Sequence, residues 1–418
     1  MASALPQLQG LSAHLFQPPD AATQATLGIQ GILTHLGDGA FKSVYSCRFN
    51  GTDAVVSASS RGLPGSLDLR AQAAEAAVQA RLASQPPHPH VNTALRGPVI
   101  VAGRSYTVLP RLQVTLFNQA IGDHPGTYPE ATARTHFAQI LSGLRHLHRL
   151  GVAHRDIKLE NIMLSEGGEA CLIDFNLSVV VPPGGSSLIT SDAGTESYRA
   201  PEVVGAGPGR PYDMFKADVW SLGVVLFTMS AGVFLVGEAT PADDLFRVVR
   251  TAQEFNRCIV ATLFNHYRGA QDYRDNPQRY ARLAAFKDNA DLVALLNRML
   301  RIDPAKRMSL DEISQLPWLA AELERLGEAA LPSQLGWAYR SLRATSPAAD
   351  SVPAPALRGL GAASSAADSV PASKFRGLGA SSPVHERASV VNFEEVLAAI
   401  PCVGAPPITR QNAVLGSA

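Results

Sequence analysis

The feature that most constrains this chain is an ordered set of polar residues between His154 and Asn176, HRDIKLENIMLSEGGEACLIDFN. Asp156 stands two residues after His154, Lys158 two further on, and Asn161 three after that; a second pair, Asp174-Phe175, follows downstream. Phosphoryl transfer needs such a set. One carboxylate must orient the attacking hydroxyl, another must hold the metal that bridges the phosphates, and an amide oxygen must complete a second metal site. Asp156, Asp174 and Asn161 are spaced to fill those roles.

The stretch resembles the eukaryotic protein kinases, whose catalytic loop reads H-R-D-L-x-x-x-N and whose metal loop reads D-F-G. Lys158 marks the serine/threonine type of that loop. Further motifs follow in family order. Gly194 to Glu202, GTESYRAPE, is similar to G-T-x-x-Y-x-A-P-E, which implies that Thr195 touches Lys158 and Asp156. Asp218-Val-Trp220-Ser221-Leu-Gly223 is similar to D-x-W-S-x-G, the start of a buried central helix. Asp303-Pro304 and Arg307 match the last motif, which implies a buried Glu202–Arg307 ion pair. The resemblance implies an α+β, bilobal protein-kinase fold over residues 27–323. Its small antiparallel-sheet N-lobe is expected at 27–112 and its larger helical C-lobe at 113–323. ATP and Mg²⁺ are the implied cofactors, and a protein is the implied substrate.

Upstream, Ile32, Thr34 and Leu36 alternate into Gly37-Asp38-Gly39-Ala40-Phe41-Lys42-Ser43-Val44-Tyr45, which reads as strand, glycine turn, strand. Glycines let backbone amides approach a triphosphate because no Cβ intervenes. The segment resembles the family's phosphate-covering loop, with Lys42 in place of its third glycine. By that resemblance Gly37 and Gly39 lie over the phosphates, and Leu36 and Val44 sandwich the adenine. The lysine that the family carries on the next strand is missing: Ala54-Val55-Val56-Ser57-Ala58-Ser59 has none, and no lysine occurs between Lys42 and Lys158. Its place falls on Ser59, or on Ser57 if the hairpin is shorter than usual. A triphosphate still needs a cation. Residues two apart on a strand share a face, so Lys42 is expected to point into the cleft with Val44. GDGAFKSVY is also similar to the G-x-G-x-F-K-x-V-Y loop of the with-no-lysine kinases. That resemblance implies that Lys42 replaces the strand lysine and pairs with Glu75 across the cleft.

Glu75 is the one acid in the body of a helix expected from about Leu67 to Ala83 and ended by Pro86-Pro87. Gln79, one turn on, stands where active kinases usually place an apolar residue. Two apolar stretches, 98–102 and 106–112, complete the small sheet. By resemblance Leu109 is the gatekeeper, Pro110 to Leu112 the hinge, and Met163 a further contact to the nucleotide. Pro110 has no N–H to donate, which leaves its carbonyl and the amide of Leu112. Residues 130–150 carry Phe137, Ile140, Leu141, Leu144 and Leu147 at helical spacing, in a helix that delivers the catalytic loop. Asn176 replaces the glycine of the metal loop; asparagine tolerates left-handed backbone better than most residues. Arg155 is expected to pair with a phosphate added to one of the hydroxyls Thr190, Ser191, Thr195 or Ser197.

Composition narrows the partners. Lys plus Arg and Asp plus Glu both total 36, so no global charge draws the chain to nucleic acid or an anionic membrane. The four cysteines lie far apart, with neither disulfide nor metal-ligand spacing. The first ten residues, MASALPQLQG, lack a secretory pattern, and a cytoplasmic or nuclear location is expected. Val219 to Gly237 is uncharged and near membrane-span length, but it opens on the family motif and is read as a buried helix. Residues 1–26 read as a flexible arm. Residues 324–418 read as a mostly disordered tail, with AADSVPA at 348–354 and 366–372 and RGLGA at 358–362 and 376–380. A short amphipathic helix is expected at 392–400; its stripe of Phe393, Val396, Leu397 and Ile400 is a candidate docking element.

Two readings follow. One is an active Ser/Thr protein kinase with Asp156 as base, and with Lys42, Glu75, Lys158, Asn161, Asp174 and Thr195 completing the machinery. The other is a pseudokinase that serves as a nucleotide-binding or scaffold module, favoured by the lost strand lysine, Gln79 and Asn176.

Overall fold

The computed structural model describes residues 18–327, apart from 32, 40–41, 60–66, 123–127 and 287–288. The repeats and the helix expected at 392–400 lie outside the described residues, as does Phe41 of the glycine loop.

The N-terminal lobe begins earlier than the sequence suggested. Asp20 caps a helix, α1 (Ala21–Leu27), by accepting from the Thr23 amide at 2.8 Å, and Gly28 ends it at φ 70. Residues 21–26, read from the sequence as part of an arm, are therefore helical. Leu27 and Ile29 are apolar anchors that seat this segment on the sheet. The sheet comprises β1 (Ile29–Gln30), β2 (His35–Asp38), β3 (Lys42–Phe49), β4 (Thr52–Ser59), β5 (Arg96–Val101) and β6 (Arg104–Pro110), in the order β1-β3-β4-β6-β5 with β2 on β3. Pairing is antiparallel throughout, so each strand sends alternate residues to opposite faces. Tyr45, Cys47, Ala54, Val56, Ala58, Tyr106 and Val108 form one apolar face under Leu27 and Ile29. The other face carries Lys42, Val44, Ser57, Ser59, Thr107 and Leu109. Beside it lies α2 (Leu67–Ala83).

The loop from α2 back to the sheet ties the lobes together. Leu172 donates to His90 O at 3.0 Å, and Asn92 donates to Leu172 O at 2.9 Å. A Cβ at Gly143 would stand 2.5 Å from His90 O, so only glycine lets the next helix pass this loop.

In the larger lobe, β7 (Val114–Thr115) precedes α3 (Glu130–Arg149), whose stripe of Phe137, Ile140, Leu141, Leu144 and Leu147 is fully buried. Short strands follow: β8 (Val152–Ala153), β9 (Ile162–Leu164), β10 (Ala170–Leu172), β11 (Val179–Val180), β12 (Leu188–Ile189) and β13 (Tyr212–Asp213). They pair as β10-β9-β7, β11-β8 and β12-β13, and they carry the loops between them. Among the described residues the remaining α-helices are α4 (Met214–Ala231), α5 (Asp244–Glu254), α6 (Ile259–Gly269), α7 (Gln271–Asp275), α8 (Ala290–Met299), α9 (Leu310–Ser314) and α10 (Pro317–Arg325).

The apolar run at 219–237 is not one helix. Helix α4 starts at Met214, where Asp213 caps it, and ends at Gly232 (φ 74); Val233, Leu235 and Val236 enter the core from the following turn. It is long and apolar enough to cross a membrane, yet 83% of its apolar window is buried within the protein. Core packing accounts for its composition.

Arg307 fastens the base of this lobe. It is 2% exposed and donates to Glu202 Oε1 at 2.6 Å, Glu202 Oε2 at 3.0 Å, Lys216 O at 2.6 Å and Arg301 O, with its guanidinium 5.3 Å from the Trp220 ring centroid. Breaking a buried pair by removing one partner leaves the other charge stranded. Glu202→Ala is therefore expected to cost about 3–5 kcal/mol, read from the urea midpoint. A loss under about 1 kcal/mol, the range of an exposed pair, would contradict this.

Candidate active site

The loop from His154 to Asn161 is shaped by one buried carboxylate. Asp218, 1% exposed at the start of α4, accepts the amides of His154 and Arg155, both at 2.8 Å, and His148 Nε2 lies 2.9 Å away. Arg155 takes φ 66 there, a conformation that these two bonds hold. The Asp156 amide donates to His154 Nδ1 at 3.3 Å, so His154 Nε2 carries the hydrogen that Ile173 O accepts at 3.1 Å. One histidine thereby links the Asp156 loop to the segment that bears Asp174.

Asp156 is held from three sides. Its Oδ1 accepts from Thr195 N at 3.0 Å and Thr195 Oγ1 at 2.8 Å. Its Oδ2 accepts from Asn161 Nδ2 at 2.8 Å and faces Lys158 Nζ at 2.9 Å. Lys158 Nζ also donates to Thr195 Oγ1 at 2.8 Å. Because Asn161 spends its amide nitrogen on Asp156, its oxygen is left as an acceptor without a donor among the described residues. A hard cation seeks such an oxygen.

Lys42 occupies the centre of the cleft. Its Nζ lies 3.1 Å from Asp174 Oδ1 and 3.4 and 3.5 Å from the two oxygens of Glu75, with 14% of its side chain exposed. Burial works against its charge, but Glu75 and Asp174 outweigh it and hold the ammonium above the ordinary lysine pKa. Burial likewise opposes ionisation of Asp174, and Lys42 reverses the balance, so its carboxyl titrates below the usual aspartate value. Strand register explains the arrangement. Lys42 is the direct cross-strand partner of Ser59, and Val44 that of Ser57. Side chains directly opposite stand about 4.5–5.5 Å apart at Cβ on the same face. A lysine on β3 therefore enters the same space as one on β4.

Around this centre, β2 and β3 form the hairpin that carries Leu36, 47% exposed, and Val44. Gly39 N donates to Lys42 O at 2.7 Å to close the turn, and a Cβ at Gly37 would meet nothing within 4 Å. Leu109 faces the cleft near the end of β6, which Pro110 terminates; Leu112 follows on the connection to β7, and half-buried Met163 lies on β9. Asp174, not Asn176, adopts the left-handed backbone, at φ 66. Asn176 is thus free of the strain anticipated for it, and its amide donates to Asp174 Oδ1 at 3.4 Å.

Gln79 is the second departure from expectation. It is 3% exposed, and both ends of its amide are engaged: Nε2 donates to Asn92 O at 3.2 Å and Oε1 accepts from Ala94 N at 2.8 Å. The polar residue replaces apolar packing with a clamp between α2 and the following loop. Arg81 Nε adds a bond to Leu150 O at 3.0 Å in the other lobe. Further along, Arg155 Nη2 donates to Ser191 O at 2.9 Å, Ser191 Oγ at 2.7 Å and Tyr212 OH at 3.1 Å. Ser191 is the one of the four expected hydroxyls that Arg155 reaches.

A family profile described as the protein kinase domain matches residues 31–319. The chain belongs to the protein kinase family. Among its relatives, "CBL-interacting serine/threonine-protein kinase 7" of Arabidopsis thaliana is 35% identical over 199 residues, covering 48% of this chain and 39% of that protein. "CBL-interacting protein kinase 22" of Oryza sativa subsp. japonica is 34% identical over 240 residues, 56% of this chain and 46% of its own length. Human "Testis-specific serine/threonine-protein kinase 3" is 34% identical over 196 residues, 47% of this chain and 61% of that protein. The matched stretch thus covers less than two thirds of the length of each of these relatives.

The donor set suits the nucleotide and metal that the family uses. Asp174 keeps one carboxylate oxygen, and Asn161 its amide oxygen, without a protein donor among the described residues. Mg²⁺ is commonly held by one or two such groups plus phosphate oxygens and water.

Two outcomes are expected. Gln79→Leu restores the family's apolar pattern but orphans two backbone groups, and is expected to cost about 1–3 kcal/mol in thermal or urea unfolding. A stabilised variant would contradict the clamp. Because the folded pKa of Asp174 lies below its unfolded value, it contributes stability at neutral pH that is lost as pH falls through the folded value. Asp174→Asn is expected to flatten the acid arm of the stability profile below about pH 4; an unchanged arm would contradict the assignment.

Proposed function

We propose that this protein is an active Ser/Thr protein kinase that transfers the γ-phosphate of ATP to a protein hydroxyl, with Lys42 in place of the strand lysine. The observation that carries the reading is the position of Lys42: opposite Ser59 on the cleft face, and within 3.1–3.5 Å of both Glu75 and Asp174. Kinase chemistry rests on positioning and charge more than on covalent steps. In this reading Lys42 neutralises α- and β-phosphate oxygens while Glu75 holds it in place. Asp156 orients the acceptor hydroxyl and takes its proton, with Lys158 and Thr195 fixing the carboxylate. Asn161 and Asp174 hold the metal. Mg²⁺, when bound, supplies charge stabilisation on the transferring phosphoryl group. Leu36, Val44, Leu109, the Pro110–Leu112 hinge and Met163 form the nucleotide-binding surface.

The finer likeness to the with-no-lysine kinases belongs to this reading, as does a cytoplasmic or nuclear location. The intact Asp156, Asn161 and Asp174 favour catalysis over a scaffold role, and the clamp at Gln79 removes one argument for degeneracy.

The test is ATP/Mg²⁺-dependent phosphorylation of generic protein substrates by the full chain. Asp156→Asn and Lys42→Met are each expected to lower transfer by about 100-fold or more, whereas Ser59→Ala retains it. Transfer unaffected by Lys42→Met would refute the relocated lysine. ATP binding without transfer would make the chain a nucleotide-binding module, the pseudokinase alternative.

A further inference from the structure

The segment from Ser187 to Arg199, which carries Thr195 to Asp156, is fastened to the larger lobe at several points. Ser187 Oγ donates to Asp213 Oδ2 at 3.0 Å, and Ser187 O accepts from Met214 N at 3.1 Å. Strand β12 pairs with β13, which sets Ile189 opposite Tyr212. A Cβ at Gly194 would stand 2.7 Å from Arg155 O, so the segment runs directly against the catalytic loop. Loops of this kind are commonly ordered by an added phosphate that arginine captures. Here the anchors are residues of the chain itself.

The first anchor is a hydroxyl. Arg155, the residue before Asp156, has four acceptors among the described residues: Leu177 O at 3.3 Å, Ser191 O at 2.9 Å, Ser191 Oγ at 2.7 Å and Tyr212 OH at 3.1 Å. Its Nε is buried with no partner, so the guanidinium depends on these four. Tyr212, 4% exposed, in turn donates its hydroxyl proton to Ser191 O at 3.0 Å. Burial raises its pKa, against the pull of Arg155, and keeps that proton in place. One hydroxyl therefore joins Arg155 to the segment, accepting from the first and donating to the second. The second anchor is an anion. Asp192 Oδ1 accepts from Arg199 Nη1 at 2.7 Å, and Arg199 Nη2 donates to Glu238 Oε1 at 2.8 Å in the turn after α4. A carboxylate next to Ser191 thus supplies negative charge of the kind that a phosphoryl group on that serine would bring.

We propose that Tyr212 is a positioning residue for the catalytic loop and that, with Asp192, it orders the segment from Ser187 to Arg199 without phosphorylation. Tyr212 acts through Arg155 on the neighbouring Asp156. Asp192 acts through Arg199 on Thr195, whose carbonyl accepts the Arg199 amide at 3.0 Å. A phosphate on Ser191 is then needed neither for order nor for transfer. That transfer occurs at all rests on the reading of the chain as an active kinase; the ordering of the segment does not.

The experiment uses the full chain after treatment with a broad-specificity protein phosphatase, with the absence of phosphate on residues 187–199 verified by mass spectrometry. Hydrogen exchange of that segment reads its order; kcat and KM for ATP, with a generic protein substrate, read positioning. The treated protein is expected to match the untreated one within about 2-fold in both exchange and kcat. Tyr212→Phe keeps the ring and is expected to speed exchange of the segment by about 10-fold and to lower kcat by a similar factor, while KM for ATP and exchange in α3 stay within about 2-fold. Asp192→Asn, at a side chain 40% exposed, is expected to speed exchange of the same segment, and it decides the question if Tyr212→Phe fails to fold. A change of about 10-fold in exchange or kcat on phosphatase treatment would overturn the proposal, as would parent-like exchange in both variants. If no form of the protein transfers phosphate, the catalytic reading fails and exchange alone decides the ordering.

Discussion

The cleft depends on one ammonium shared by two carboxylates. Lys42 comes from the first hairpin, Glu75 from α2 and Asp174 from the loop after β10, so a single three-group contact joins three separately folded segments. Charges this close, and removed from bulk water, interact far more strongly than exposed pairs. Each carboxylate is also expensive to bury alone. The contact therefore selects one arrangement of lobes and helix, in which α2 lies against the cleft and the Asp174 loop faces inward.

Everything else in the site holds this contact in register. The Gln79 amide and the Arg81–Leu150 bond fix the far end of α2, so that Glu75 cannot swing away with it. Asp218 fixes the catalytic loop from below, and His154 passes that constraint to Ile173, next to Asp174. Arg307 ties Glu202, in the segment that follows Thr195, to the Lys216 carbonyl of α4. These supports are buried and hydrogen-bonded, and a network satisfied in this way specifies one geometry.

Much of this was legible in the sequence, for a physical reason. The catalytic loop, the metal loop and the Thr195 segment are short stretches in which chemistry demands fixed residue types at fixed spacing. The stripe on α3 was equally plain, because its five apolar residues share a helical face. What escaped was set by pairing between distant segments. The sequence allowed either Ser57 or Ser59 to stand at the lysine position; strand register alone puts Ser59 opposite Lys42. Gln79 looked like damage because its partners, backbone groups at Asn92 and Ala94, carry no signature. The role of Asp218 was hidden inside a motif read for its helix. Asn176 was expected to bear backbone strain that falls instead on Asp174, and α1 was lost in an arm whose Asp20 cap and Gly28 stop were available as signals.

The central claim is that the phosphate-facing cation lies on β3 and not on β4. An ATP acyl-phosphate reagent acylates the lysine amine nearest the bound phosphates, and peptide mass spectrometry then identifies that lysine. The account predicts ATP-protected labelling at Lys42, abolished in Lys42→Met and kept in Ser59→Ala. Protected labelling confined to Lys158, or no protected labelling at all, would contradict it.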